Sequence, residues 1–390
     1  MKIAWIRFPE ALYESRKIIR GGSEIANQQI IDYLRTKGVD IREFAPESKE
    51  RLDLVSIPVL GTTLMFQDLI KKTDEINSCD LVVTNHWFGS IIPEITVPMV
   101  TIFHHDAKLV IRHLQIKVKG KKTVFNKWIK ILNLFSLGKK TYQDLHEQII
   151  SIGEERLSKM STMNIAVSNF LKDELARDYP IATEKISVIY NNYPSDWEKS
   201  CQYKKLPKAS AKLKLICVTR LPIDEIGIII KGIDRILEIF ERENSCEKTI
   251  VATTIHGAYQ KFFKKRFPQI SFNENIERKK VGQKLLESQI SIHASRCESF
   301  GLTVTESMLM GNVPVAFPTG IVEELIENGR NGFIVETVEE ALEKIGQLVQ
   351  NKQLLEEMSK NAQKTVLNKM SPGKIGELYK TLFEKITEDR

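Results

Sequence analysis

Apolar runs of five or six residues alternate with longer amphipathic stretches along nearly the whole chain, and that alternation restricts the fold more than any other feature. KIAWI (2–6) reads as a short buried strand. GGSEIANQQIIDYLRTKG (21–38) follows as a helix, with Ala26, Ile30, Tyr33 and Leu34 on one face and Gly38 as its stop. DIREFAP (40–46), LVVTN (81–85), MVTIFH (99–104), NIAVS (164–168) and ISVIY (186–190) are further strand candidates, most of them separated by helical patterns. Strands that take turns with helices predict a parallel, doubly wound sheet, because a parallel pair needs a crossover long enough to hold a helix.

The pattern pauses and then restarts. From Asn191 to Lys212 the chain mixes Pro, Ser, Asn and Lys without periodicity and reads as a linker. Beyond it, KLICVT (214–219), TIVATT (249–254), ISIHAS (290–295) and VPVAF (313–317) are strand candidates, with amphipathic helices at 234–244, 279–288 and 338–350 and a last helix after Pro372. With 390 residues, one core is too few. The expectation is α/β: an N-terminal Rossmann-like domain over 1–192, rejoined by a C-terminal helix over 373–390, a linker over 193–212, and a second Rossmann-like domain over 213–372.

Composition excludes several classes. Apolar residues at 42% and charged residues at 27% are ordinary globular usage. No uncharged apolar run is long enough for a spanning helix, and MKIAWIRFPEALYE lacks the apolar core of a signal peptide. Cys79, Cys201, Cys217, Cys246 and Cys297 are scattered and without CxxC spacing, which argues against a disulfide framework or zinc site and for a cytoplasmic chain with reduced thiols. The net charge of +7 is local: residues 107–140 carry ten Lys and Arg and no Asp or Glu. Within them Phe125, Trp128, Ile129, Leu132 and Phe135 fall at helical spacing opposite Lys and Asn. That reads either as an interfacial helix on an anionic membrane surface, placing the protein peripherally at the inner membrane face, or as a core-packing helix with a solvated basic side. No recognised nucleic-acid fold accompanies it, so nucleic acid is not expected as a partner.

The strongest chemical signal is RCESFGLTVTESMLMGNVPV (296–315). A strand ending near Ser295 enters a Gly-containing loop and then a helix that Gly311 stops, which presents backbone N–H groups at the C-terminal edge of a parallel sheet. Polyhydroxylated or phosphorylated ligands suit such an edge. Glu306 is placed to accept from a cis-diol such as a ribose, and Glu298 to contact a transferred group.

Glu298 and Glu306 form an E-x7-E pair inside the words E-x-F-G-L and G-x-P-V, and PTGIVEELIENGRNGFIV follows downstream; in these words the chain resembles the retaining family 4 glycosyltransferases. The resemblance extends to Gly21-Gly22-Ser23-Glu24, like the family's GG-x-E loop, and to Arg220 and Lys231, like its strand-ending Arg and the Lys of its K-G word. His104-His105-Asp106 resembles the His or His-Asp at the end of a first-domain strand on the acceptor side. It departs in Ala294-Ser295, where the family has P-S, in Asn192, where it has Gly after Asn191, and in FNENIE (272–277), which replaces the glycine word near the nucleotide base.

The resemblance implies a GT-B fold, two Rossmann-like doubly wound parallel-sheet domains facing a central cleft. It also implies a retaining glycosyltransferase that moves a sugar from a nucleotide-sugar donor to an acceptor. Glu298, His104 and His105 would be catalytic. Gly21, Gly22, Arg220, Lys231, Phe300, Gly301, Leu302 and Glu306 would bind the donor. No Asp-x-Asp occurs in the chain, so no metal and no cofactor beyond the donor are expected, with UDP-sugar favoured by family frequency. The acceptor would be a glycan or lipid-linked, if the basic segment docks on a membrane. A non-catalytic GT-B-like accessory protein, or an epimerase or phosphorylase of the same fold, is the alternative.

Overall fold

The computed structural model describes residues 1–7, 22–45, 67, 69–85, 87–114, 139–198, 212–221, 225–254 and 258–389. The chain forms two compact units. The first combines Met1–Arg112, Thr141–Asn192 and Pro372–Arg390, and the second is built mainly on Tyr193–Ser371.

In the first unit β1 (Lys2–Ile6), β2 (Asp40–Phe44), β3 (Leu81–Thr84), β4 (Met99–Phe103), β5 (Met163–Ala166) and β6 (Ile186–Val188) make one parallel sheet in the order β2-β1-β3-β4-β5-β6. Ile3, Ala4, Trp5 and Ile6 are buried because β1 is covered on both faces. Helices α1 (Gly22–Thr36), α2 (Ala107–Leu114), α3 (Lys139–Met160) and α4 (Asn169–Asp178) accompany the sheet. Helix α1 buries Ala26, Ile30, Ile31 and Leu34, while Tyr33 is only half-buried. Gly38 ends the turn in the left-handed region (φ 79°), and the Val39 N–H reaches back to the Leu34 carbonyl at 3.1 Å.

In the second unit β7 (Lys214–Leu221), β8 (Glu247–Thr254), β9 (Ile270–Glu274), β10 (Ile290–His293), β11 (Val313–Ala316) and β12 (Phe333–Ile334) form another parallel sheet, ordered β12-β11-β10-β7-β8-β9. Strands β9 and β12 escape the pattern analysis, since β9 buries only Ile270 and β12 has two residues. The helices used below are α5 (Ile233–Arg242), α6 (Arg278–Glu287), α7 (Leu302–Leu309) and α8 (Lys352–Met370). Tyr193 and Trp197, inside the stretch read as linker, are buried, and the Trp197 ring lies 3.2 Å from where a Cβ on Gly282 would stand.

The last helix, α9 (Pro372–Glu388), returns to the first unit. Its buried side chains Ile375, Tyr379, Phe383 and Ile386 recur at helical spacing, and the Phe383 ring meets Trp5 edge-on at 6.4 Å. Tyr33 packs against Gly376 of this helix and donates its hydroxyl to Glu377 at 2.8 Å, which explains its half-buried place on α1. The protein therefore has the expected α/β architecture, two Rossmann-like parallel sheets flanked by helices.

Candidate active site

In the second sheet β7 is flanked by β8 on one side and by β10 on the other, so the winding reverses between β7 and β10. Loops leave the two C-terminal strand ends in opposite directions at such a point and open a crevice where ligands bind. A cleft lies there. Cys217, Val218 and Thr219 of β7 line it with Ile292, His293 and Ala294 of β10, and it is completed by Lys231, Glu298, Gly301, Thr303 and Thr319. Lys231, Glu298 and Gly301, named from the sequence alone, thus share one cavity. Phe300 beside them is buried, Leu302 opens α7 half-buried, and Arg220 is exposed near the C-terminal end of β7.

The loop that carries Glu298 is held from two sides. On one side the Arg296 N–H donates to the Ile230 carbonyl at 2.7 Å, and its guanidinium donates to the Ile229 carbonyl at 2.6 Å and to both Asp234 oxygens at 2.8 and 2.7 Å. Gly232 sits under this loop in the left-handed region (φ 63°), and a Cβ there would fall 1.8 Å from the Ala294 carbonyl oxygen. Only glycine lets the two backbones come so close. On the other side the Glu298 N–H donates to Thr319 Oγ1 at 3.0 Å and the Ile321 N–H to the Phe300 carbonyl at 2.7 Å. Between these clamps Lys231 Nζ donates to Glu298 Oε1 at 2.7 Å, both side chains about a quarter exposed.

Glu306 does not line the cleft. It is buried within α7, 5% exposed, and pairs with Arg278 at the start of α6, whose side chain keeps 36% exposure. Burial pushes its carboxyl above the usual range, and the Arg278 guanidinium opposes that shift. Arg278 in turn lies 5.0 Å from the Trp197 ring centre. Neither Arg278 nor Trp197 carried a signal in the sequence, because Arg278 reaches Glu306, and Trp197 reaches Arg278, through tertiary contacts. The glycine word missing before this region leaves a trace: Asn275 adopts φ 52°, a conformation glycine takes without strain.

In the first unit the two histidines part ways. His104 Nε2 lies 3.3 Å from Asn27 Oδ1 on α1, toward the helix start that follows the glycine loop; Gly22 opens that helix, and Gly21 falls outside the described residues. His105 is held by Glu154 at 3.3 Å and Glu147 at 3.6 Å. Burial disfavours its charge, but the two glutamates and Asp106 outweigh that and raise its pKa to about 9, with its side chain still 41% exposed. Glu154 also accepts from the Ala107 N–H at 2.9 Å and the Tyr179 hydroxyl at 2.6 Å. His105 is thus tied into a network that also anchors α2. One residue went unnoticed in the sequence: Asn85, 4% exposed in the unit as folded, directly follows β3, with neither amide atom partnered among the described residues.

The same network absorbs part of the basic segment. Lys108 donates to Glu155 at 3.2 Å and to the Asp178 carbonyl at 2.7 Å, and Arg112 pairs with Asp178 and Glu174. Two of the ten cations are therefore neutralised inside the unit. The stretch 115–138, with its amphipathic pattern, lies outside the described residues. Asp106, Glu174 and Asp178 bring carboxylate oxygens within 4.8 Å of one another, but the Arg112 guanidinium already supplies the countercharge there. Cys79, Cys217 and Cys246 are buried, free thiols, and Cys297 is buried as well. Among the described residues no helix is long and apolar enough to cross a membrane.

Comparison with known proteins agrees with this geometry. Residues 204–365 match the family described as glycosyl transferases group 1, and residues 20–194 match Glycosyltransferase Family 4. A Klebsiella pneumoniae protein, described as an uncharacterized 41.2 kDa protein in a cps region, is 25% identical over 189 residues, which are 46% of this chain and 50% of that one. The chain thus spans half the length of that relative. HepE of Anabaena, solved in complex with UDP and glucose, superposes with a TM-score of 0.64 at 18% identity, over 98% of this chain and 99% of its own. Sucrose-phosphate synthase from Thermosynechococcus elongatus superposes with a TM-score of 0.74 at 12% identity over 100% of both chains. At such identities the likeness concerns the fold. The two family matches fall largely one on each parallel-sheet unit, 20–194 on the first and 204–365 on the second, so each unit resembles a glycosyltransferase family and the fold is of the GT-B type.

Proposed function

We propose that this protein is a retaining, metal-independent glycosyltransferase that takes a UDP-sugar as donor and passes the sugar to a glycan or lipid-linked acceptor. The observation that carries the reading is the Lys231–Glu298 pair, 2.7 Å apart and fixed at the switch point of the second sheet by clamps on both sides of its loop. A departing nucleoside diphosphate needs preorganised positive charge, and the Lys231 ammonium, held in place by Glu298 of the clamped loop, supplies it without reorganisation. Lys231 Nζ carries three donors. One on Glu298 leaves two for phosphate oxygens, with Arg220 as a second cation.

Glu298 then accepts from hydroxyls of the transferred sugar, and the Phe300-Gly301-Leu302 amides at the start of α7 face the same ligand. Glu306, outside the cleft lining given above, takes the ribose diol through the oxygen that Arg278 leaves to it. Gly21 and Gly22 serve the diphosphate, and His104 the acceptor side; His105 is less suited, with both ring nitrogens already beside glutamates. HepE, solved with UDP and glucose, supports UDP as the nucleotide through its shared fold. The relative in a cps region supports a glycan product. Peripheral membrane docking rests on the eight remaining basic residues of 107–140.

Thermal-shift titration with UDP, GDP, ADP and NAD, in EDTA, tests the donor assignment. A ligand at ~100 times its Kd adds about 2.7 kcal/mol to stability. Stabilisation by UDP that Lys231→Met weakens at least tenfold is the expected result. Stabilisation by NAD alone, or by UDP only after a divalent ion is restored, refutes the donor or the metal-free reading. The anomeric configuration of the product decides retention.

A further inference from the structure

His293 ends β10 on the floor of the cleft, and none of the roles assigned so far involves it. Its surroundings fix where its proton sits. The Ser307 hydroxyl donates to the Val304 carbonyl at 2.9 Å, and the Ser291 hydroxyl donates to Ser307 Oγ at 3.0 Å. Each hydroxyl has one hydrogen, so both are committed. His293 Nε2 lies 3.0 Å from each of these oxygens. With only lone pairs facing it, Nε2 must be the protonated nitrogen.

The ring is neutral. Burial pushes its pKa down to about 3, and among the described residues no carboxylate opposes that. A neutral imidazole with its proton on Nε2 has a bare lone pair on Nδ1. Among the described residues the polar atom beside it is Thr303 Oγ1, at 3.5 Å, the outer limit of a hydrogen bond, and Thr303 itself lines the cleft. A bare nitrogen cannot donate to a phosphate oxygen. What it can meet is a hydroxyl.

On the nucleotide-sugar reading above, we propose that His293 is a specificity-determining residue whose Nδ1 accepts a hydrogen bond from one hydroxyl of the transferred sugar. Lys231 and the α7 amides then address the anionic part of the donor, while His293 and Glu298, two acceptors on one cleft, address its hydroxyls. A residue serving only as a strut between β10 and α7 needs no more than its Nε2 contacts. Such a strut makes no use of Nδ1 beyond its long contact with Thr303.

The test uses the intact protein with 15N-labelled histidine. Long-range 1H–15N correlation spectra report which ring nitrogen is protonated, and His293→Gln identifies the signal among the seven histidines. The expected result is an unprotonated Nδ1 that is unmoved by UDP and shifts when UDP-glucose, UDP-galactose or UDP-N-acetylglucosamine replaces it. In parallel, His293→Phe should weaken the preferred UDP-sugar about tenfold and UDP less than about twofold, as loss of one buried hydrogen bond to the sugar requires. A proton on Nδ1, a resonance that ignores a sugar nucleotide which stabilises the protein, or equal loss of affinity for UDP and UDP-sugar each overturns the proposal. Absence of stabilisation by UDP and by every UDP-sugar removes the donor reading itself, and this inference with it.

Discussion

Replacing Gly232 with alanine isolates the contact that sets the geometry of the cleft. Two costs add. The residue holds φ 63°, where a side chain costs about 1–2 kcal/mol. The new Cβ would also stand 1.8 Å from the Ala294 carbonyl oxygen and 2.4 Å from its carbon, which are backbone atoms that cannot swing aside. Restoring contact distance moves one backbone by more than about 1 Å, and overpacking of that kind costs a further 1–3 kcal/mol. The sum is about 3 kcal/mol. Gly329→Ala is the control: its φ is 81°, but nothing lies within 4 Å of the added carbon, so only the conformational cost applies. Urea denaturation of both variants, followed by UDP titration and donor turnover, separates the contributions. Gly232→Ala should lose about 2 kcal/mol more than Gly329→Ala. Because the displaced loop carries Glu298, a shift of that size should also cut turnover about 100-fold in whatever protein remains folded. If the two variants are equally stable and equally active, the close approach at Ala294 does not position the site.

Breaking the buried pair with Arg278→Ala leaves the Glu306 carboxylate uncompensated and should destabilise the second unit by about 3 kcal/mol in urea; adding Glu306→Gln should recover more than half, and a fully additive double variant would show the two are uncoupled. Stability of the first unit should fall as pH rises. His105 is raised from 6.5 to about 9, so its contribution is complete below pH 6.5 and lost through pH 9. Asp106, raised by burial and by neighbouring carboxylates from 3.8 to about 7, favours folding only while protonated. Discounted for the exposure of His105, the combined loss from pH 5 to pH 9 is on the order of 2 kcal/mol. Asp106→Asn keeps the oxygen that accepts the Leu109 N–H and should flatten the lower half of that slope; an unchanged urea profile refutes the assignment. Fluorescence-detected sedimentation with phosphatidylserine vesicles should show binding that Lys127→Glu/Lys130→Glu abolishes, each lysine contributing about 1 kcal/mol; equal binding by the variant removes the membrane role of this segment.

Much of the fold is legible in the sequence because the signals are local. Strand runs such as KIAWI and VPVAF are short, apolar and bounded by turn formers, so each declares itself within five residues. Strand β9 does not, since a half-exposed ISFNE near the sheet edge needs no continuous apolar run. The words around Glu298 and Glu306 are equally local. A strand end, a loop glycine and a helix start lie within twelve residues of one another there, and backbone chemistry imposes their order.

The sequence by itself thus determined two parallel sheets, their helices and the loop that borders the cleft at the switch point. Tertiary structure alone decided what each polar side chain in that loop touches. Lys231 reaches Glu298 across 67 positions, Arg278 reaches Glu306 across 28, and His293 meets Ser307 across 14. Periodicity and turn chemistry act over one or two helical turns. Ion pairs and tautomers depend instead on which loops the winding of the sheet brings to one edge, and the sequence holds no local mark of that.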